Sequence, residues 1–384
     1  MSSSVFERSS SFTATSTPAS VPRLVRGCGS ILSMQSALID AAERSGQSGA
    51  MDDLDFFLAR PQVRKKTPYI LSLTQEEGPL NSKSDPLGAA VLLYEHHAAG
   101  HGSRIYTTDD TTGRRTLVSA PLSRSQVALT ACHALLKQGA QMILISYRHE
   151  EEQVNESLGR LLKDKRCSCR WATREREVAG YLPIEPTLDA TMAKIGTRTR
   201  NHLRYYRRRV ENQLGAEFVP EAKISREDFL ELNRISAYPV ADDVAGWRYD
   251  SLHILKSPLL YGMRDRDGRW LGLIGGRHYG GNMEMQWQMN RADMTSHSLG
   301  TAMRGFLIEH EVMLGTQRMY IEGGTTHSMS HAFVSQKATD LIVMRQSALS
   351  RVLPSMVKRF LPPENMLLNV LEDTNLTWHS VTRA

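Results

Sequence analysis

Only four cysteines occur in 384 residues, which excludes a disulfide scaffold. Cys28 and Cys132 stand alone in the sequence. Cys167 and Cys169 form a C-x-C pair with no second pair, too few ligands for a zinc site. The alternation Cys167, Cys169, Trp171 instead fits one face of a strand. No stretch approaches the roughly 20 apolar residues that cross a bilayer. Charge of one sign is scarce as well. Lys and Arg number 47 against 41 Asp and Glu, a net charge of +6, so composition by itself does not specify a nucleic-acid binder. The N-terminus lacks the basic start and apolar run of a secretory signal. With no such signal, the cytoplasm is the expected location, and the Ser/Thr-rich residues predict a disordered tail over 1–22. No G-x-S-x-G elbow supports a Ser-His-Asp hydrolase.

What is present is ordinary in amount and uneven in placement. Hydrophobic residues make up 41% and charged residues 23%, enough for a real core. The length predicts two domains, over 23–185 and 186–384. The second opens with a basic segment, 194–211, carrying Lys194, Arg198, Arg200, Arg204, Arg207, Arg208 and Arg209 against the single acid Glu211. Its inner stripe is Ile195, Thr199, Leu203, Tyr206, Val210 and Leu214, at helical spacing. Arg200, Arg204 and Arg208 form an i, i+4 ladder of like charges. That ladder is a solvated or internally paired face, or it binds phosphate from RNA, a nucleotide-linked donor or anionic lipid.

Periodicity predicts strands over 68–73, 89–94, 104–107, 116–119 and 141–146, with helices over 32–45, 123–137 and 150–162. Strands over 167–178 and 180–184 close the first half. In the second, a helix over 187–192 and the basic helix precede a short strand at 217–220. Ser225 caps a helix over 225–235. An aromatic loop over 238–251 follows, holding Asp242, Asp243, Trp247 and Tyr249. Three strands come next, 259–264, 270–279 and 282–290, joined by an Arg-Asp-Gly turn and by Gly280-Gly281. A helix over 298–314, a strand over 318–322, a helix or turn over 327–334, a strand over 340–345 and a helix over 350–361 complete the chain. Each half thus repeats one order, which predicts two similarly built α/β domains.

Strand 282–290 alternates, with Met283, Met285, Trp287 and Met289 on one predicted face and Glu284, Gln286, Gln288 and Asn290 on the other. The polar row faces water or lines a cleft. Ser298-Leu299-Gly300-Thr301 precedes a helix, whose free N–H groups suit a phosphate, and Arg304 lies one turn on. His310 shares a face with Phe306, Leu307 and Leu314 and reads as a core histidine. Glu322-Gly323-Gly324-Thr325-Thr326-His327 offers an acid and a base around a glycine turn.

The order over 216–346 resembles the GNAT acyltransferase fold. The Arg-rich helix TRTRNHLRYYRRRVE at 197–211 and the run from Trp287 through Ser298-Leu299-Gly300-Thr301 to Arg318–Gly323 resemble the CelD-like or BioF2-like acetyltransferases. These are akin to Fem-type aminoacyl transferases, which carry two such domains in tandem. The resemblance implies an α/β (α+β) fold of two tandem GNAT-like domains, each a mixed, mostly antiparallel sheet flanked by helices. It implies acetyl-CoA or another acyl-CoA as co-substrate, without a metal, held by Ser298, Leu299, Gly300, Thr301, Arg304 and Gln288. The implied acid–base residues are Glu284, His327 and Glu322, acting on a small amine or sugar-like acceptor, with envelope or polysaccharide metabolism as the setting. Where that fold carries a Q/R-x-x-G-x-G/A turn, residues 294–301 carry one glycine. That departure, with Arg200, Arg204 and Arg208, leaves a Fem-like enzyme using charged tRNA as the alternative. A non-catalytic module for a phosphate ligand or a protein is the third.

Overall fold

The computed structural model describes residues 21–60, 66–74, 87–96, 104–108, 117–118, 124–148, 168–321, 329–346 and 366–381. The expected tail at 1–20 and the expected helices at 150–162 and 350–361 lie outside the described residues; Val21 and Pro22 already belong to a strand. The first half runs β1 (Val21–Arg26), α1 (Cys28–Leu32), α2 (Gln35–Arg44), α3 (Leu54–Ala59), β2 (Lys66–Thr74), β3 (Leu87–His96), β4 (Ile105–Thr107), β5 (Leu117–Val118), α4 (Arg124–Lys137), β6 (Met142–Arg148) and β7 (Cys169–Pro183). The second runs α5 (Leu188–Lys194), α6 (Thr197–Leu214), β8 (Glu217–Val219), α7 (Arg226–Arg234), α8 (Asp242–Ser251), β9 (Pro258–Arg264), β10 (Trp270–Tyr279), β11 (Asn282–Asn290), α9 (Leu299–Met313), β12 (Arg318–Ile321), β13 (Val334–Arg345), α10 (Met366–Leu371) and β14 (His379–Val381).

The strands form one sheet in the order β1-β2-β3-β4-β6-β13-β7-β12-β11-β10-β9-β8. Each half supplies an antiparallel run that ends in a parallel pair, β4 with β6 and β11 with β12. The halves then exchange strands: β13 pairs with β6 of the first half, and the far end of β7 pairs with β12 of the second. The two expected sheets are therefore fused into one. The chemistry of β6 fits its central place, since all seven of its residues are buried and helices or strands cover both faces. Cys169 and Trp171 are buried on one face of β7, as their alternation predicts.

Helix ends follow local chemistry. The Ser225 hydroxyl accepts from the Asp228 N–H at the start of α7. Gly215, at φ 59 and ψ 34, stops α6 in the left-handed conformation. The expected loop over 238–251 is corrected: from Asp242 it is helix α8. Asp242 and Asp243 favour its first turn.

The predicted alternation of β11 is also corrected. Gly275 pairs with Trp287 and Gly276 with Met285, so Gln286 is an extra, bulged residue. Face parity changes across the bulge. Met283 and Met285 pack with Leu307, Ile308 and Met319 beneath α5, α6 and α9. Trp287 and Met289 pack with Phe229 and Leu273 beneath α7 and α8. The bulge needs glycine opposite it, because a Cβ on Gly276 would collide with the Glu284 carbonyl oxygen. Gly276→Ala should therefore destabilise the protein by at least about 1–3 kcal/mol, read as a lowered urea midpoint. An unchanged midpoint would mean that β10 and β11 do not meet in this register.

Candidate functional site

The bulge divides the expected polar row between the two faces of the sheet. Glu284 faces α3 and α8, whereas Gln288 lies beneath the head of α9. The Gln288 side-chain amide donates to Asn290 Oδ1 at 3.2 Å and to the Gly300 carbonyl at 3.5 Å. On its far edge, β11 pairs with β12 only from Asn282 to Met285. Among the described residues, the edge from Gln286 to Met289 has no strand beside it, while the Asn290 carbonyl accepts from the Ala237 N–H at 2.9 Å; between them the parallel pair opens toward the start of α9.

A 3-10 turn, Ala292–His297, leads from β11 to that helix. Ser298 is left-handed at φ 46 and ψ 52, and its hydroxyl caps nothing. Ser298 is therefore not an ordinary serine N-cap. A non-glycine residue held there marks a constrained backbone. The N–H groups of Thr301 and Ala302 both reach the Ser298 carbonyl. Those of Leu299 and Gly300 have no acceptor among the described residues. Two free donors in succession at the positive end of a 15-residue helix suit an anion. Gly300 lies close over the amides: a Cβ there would stand 3.1 Å from Asn290 Nδ2 and 3.3 Å from Gln288 Nε2. Arg304 follows one turn later, partly buried. Its Nε has no partner among the described residues, and burial lowers the guanidinium's pKa.

Glu284 has different surroundings. It and Arg277 are fully buried, 3.5 Å apart, and Arg277 reaches Asp53 Oδ2 at 2.5 Å. Gln286 donates to the other Glu284 oxygen at 3.3 Å. The rings of Phe57 and Tyr279 stand 4.7 and 4.3 Å from the guanidinium carbon. Asp53 belongs to the first half and Glu284 to the second, so this cluster ties the halves together. Glu322 and His327 lie outside the described residues.

Helix α6 lies parallel to α9: Leu203 backs onto Gly305, and Arg207 pairs with Glu309. Several basic residues of the 194–211 segment are neutralised or hydrogen-bonded. Lys194 meets Glu185 at 2.8 Å, Arg207 also meets Glu211 at 3.3 Å, and Arg209 donates to Gln213 at 3.1 Å. Arg198, Arg200, Arg204 and Arg208 have no carboxylate partner among the described residues; Arg200 donates to the Thr197 hydroxyl at 3.1 Å. For Arg200, Arg204 and Arg208 this removes the internally paired alternative. A groove of about 270 Å³ runs between α5, α6 and α9, with Leu188, Met192, Leu203 and Gly305 along it and Arg204 and Arg208 at its rim.

His310 packs 5.1 Å from the Tyr261 ring and 5.9 Å from Phe218, but it is half-buried and Leu314, expected on the same apolar face, is exposed, so the expected core histidine sits at the edge of the core. The sequence reading passes over its neighbour Glu311. That carboxylate is fully buried and accepts from Tyr261 at 2.7 Å, from His278 at 3.1 Å and from Thr316 at 2.5 Å. The signal is an acid four residues beyond Leu307 and three beyond Ile308, on the apolar side of α9. No cluster of three or more His, Cys, Asp or Glu side chains among the described residues is placed to hold a metal ion. No helix of the described residues is long and apolar enough to cross a membrane.

Neither a protein-family model nor a curated protein sequence matches the chain. Solved structures match in fold. A conserved protein of unknown function from Bacteroides thetaiotaomicron is 11% identical with a TM-score of 0.50, over 82% of this chain and 97% of that one. FemX is 10% identical with a TM-score of 0.50, over 76% and 95%. A tandem GNAT protein from the clavulanic acid biosynthesis pathway is 9% identical with a TM-score of 0.44, over 85% and 99%. At such identities the likeness is one of architecture, a mixed α/β fold with a large mixed sheet flanked by helices, which is the fold class expected.

Proposed function

We propose that the protein is an acyltransferase whose donor is an acyl-CoA bound along the open edge of β11, with its pyrophosphate at the head of α9. The carrying observation is the pair of unpartnered N–H groups on Leu299 and Gly300, with Gln288 beside them and Arg304 one turn on. The backbone of Gln286–Met289 on that edge offers the donors and acceptors that a pantetheine amide chain can pair with. The donor supplies an activated thioester carbonyl. An acceptor amine or hydroxyl attacks that carbon, the new bond forms, the C–S bond breaks, and the thiolate leaves with a proton. Glu322 and His327, which follow β12 in the chain, are our preferred proton acceptors. The enclosure of Glu284 against Arg277 argues for them over Glu284. Resemblance to CelD-like or BioF2-like enzymes suggests an envelope or polysaccharide precursor as acceptor.

A second reading, a Fem-like transferase fed by charged tRNA, is favoured by the arginines of α6 that have no carboxylate. Thermal melting separates the two. Acetyl-CoA, longer acyl-CoAs or free CoA at 100 times the dissociation constant should add about 2.7 kcal/mol of stability. Gly300→Asp places a negative charge among the free N–H groups and should abolish the shift. No rise with any CoA species, alongside stabilisation by charged tRNA, would replace the first reading with the second.

A further inference from the structure

The arginine-rimmed groove between α5, α6 and α9 lies beside the donor site. Because α6 runs parallel to α9, the row Arg200, Arg204, Arg208 leads away from the head of α9. Gly305, on the groove wall, is five residues beyond Gly300, a rise of about 7.5 Å along the helix. We infer that this groove takes the adenosine 3′-phosphate end of coenzyme A, with the phosphate on Arg204 and Arg208 and the base on Leu188, Met192 and Leu203. The inference rests on the donor reading above and adds to it the residues that select the phosphorylated nucleotide.

Several features favour a nucleotide end over a longer polyanion. The groove, at about 270 Å³, is below the roughly 300–1,000 Å³ of pockets that hold a whole drug-sized ligand. It therefore suits one end of a molecule whose remainder lies elsewhere. Its floor is apolar, which fits a base and not a bare phosphate chain. Glu211 and Arg207 also line it and pair with each other, which leaves Arg204 and Arg208 as its two uncompensated charges, enough for one phosphate. Arg204 and Arg208 are like charges at i, i+4 with no acid partner among the described residues, and one phosphate between them relieves their repulsion.

The test is calorimetric titration of the whole protein with coenzyme A and with 3′-dephospho-coenzyme A. The wild type should bind coenzyme A about 10- to 100-fold more tightly, the worth of charge-assisted hydrogen bonds. The pair Arg204→Ala, Arg208→Ala should bind both ligands with the affinity that the wild type shows for the dephospho form. Both side chains are exposed, and Arg204→Gln, Arg208→Gln provides a milder pair should the alanine variant melt early. Equal affinity of the wild type for both ligands overturns the inference and leaves the donor reading standing. A preference that survives in both variants overturns the placement. If neither ligand binds, both readings fall, and binding of a short RNA abolished in the variants would assign the row to a polynucleotide.

Discussion

Arg277→Ala should lower the unfolding free energy by about 3–5 kcal/mol at neutral pH, the usual cost of stranding a buried charge. The guanidinium is fully buried between Asp53 and Glu284, at 2.5 and 3.5 Å, with rings of Phe57 and Tyr279 over it. Asp53 has one further donor, the Lys256 N–H at 2.7 Å, and Glu284 has Gln286 at 3.3 Å. Removing the cation leaves two carboxylates facing a closed space. Against a total stability of about 5–15 kcal/mol, such a loss decides whether the chain stays folded. The triple change Arg277→Met, Asp53→Asn, Glu284→Gln should recover much of it, because it removes the charges together. Urea denaturation measures both. A single variant within about 1 kcal/mol of wild type would show that solvent reaches this cluster. Because Asp53 comes from the first half, the same variant should loosen the contact between the halves, and faster proteolysis ahead of α3 would report that.

Glu311→Gln should cost about 2–3 kcal/mol at pH 7, since hydrogen bonds to a charged group are worth roughly 1.5–3 kcal/mol each. Burial alone pushes the Glu311 carboxyl up; hydrogen bonds from His278, Thr316 and Tyr261 outweigh it and hold the group below its ordinary value. The folded state therefore prefers the ionised form more than the unfolded state does. The stability this contributes is complete above the ordinary Glu range, near about 4.3, and is lost as pH falls through the lower folded value. The gap between wild type and Glu311→Gln should accordingly be widest at neutral pH and narrow below about pH 4. Tyr261 should stay protonated through the alkaline range, because its burial and then the Glu311 charge push the phenol far up. A gap that stays constant from pH 7 to pH 3 would sink the assignment.

Most of the architecture was legible in the sequence because it depends on local signals. Alternating or continuous apolar runs marked β2, β3, β6 and the β9–β11 meander, and the inner stripe of α6 is buried or half-buried as its spacing required. The register of the last hairpin was legible too: Arg277 and Glu284 are equidistant from Gly280-Gly281, and they pair. What escaped was non-local. Nothing in 282–290 announces that Gln286 bulges, because the cause is a pair of glycines on the neighbouring strand. With the bulge unseen, Glu284 and Gln288 appear to share a cleft that the fold places on two faces. Likewise, Asp53 gives no sign in sequence that it meets Arg277, 224 residues away. Ser298 could be placed at a helix start, but its left-handed backbone, and so the two free N–H groups behind it, could not be read.

The exchanged strands also set an order of events during synthesis. β6 ends at Arg148, yet its neighbour β13 spans Val334–Arg345, so about 200 residues are translated between them. At roughly 5–20 residues per second, β6 waits about 10–40 s for its partner. β7 waits for all of its own, since β12, β13 and β14 lie in the second half. An unpaired strand edge is a template for the wrong chain, and here open edges on β6 and β7 persist in every nascent copy until β13 has been made. The two halves, alike in order, are thus one unit on the ribosome, and the earlier half depends on the later one to finish its sheet.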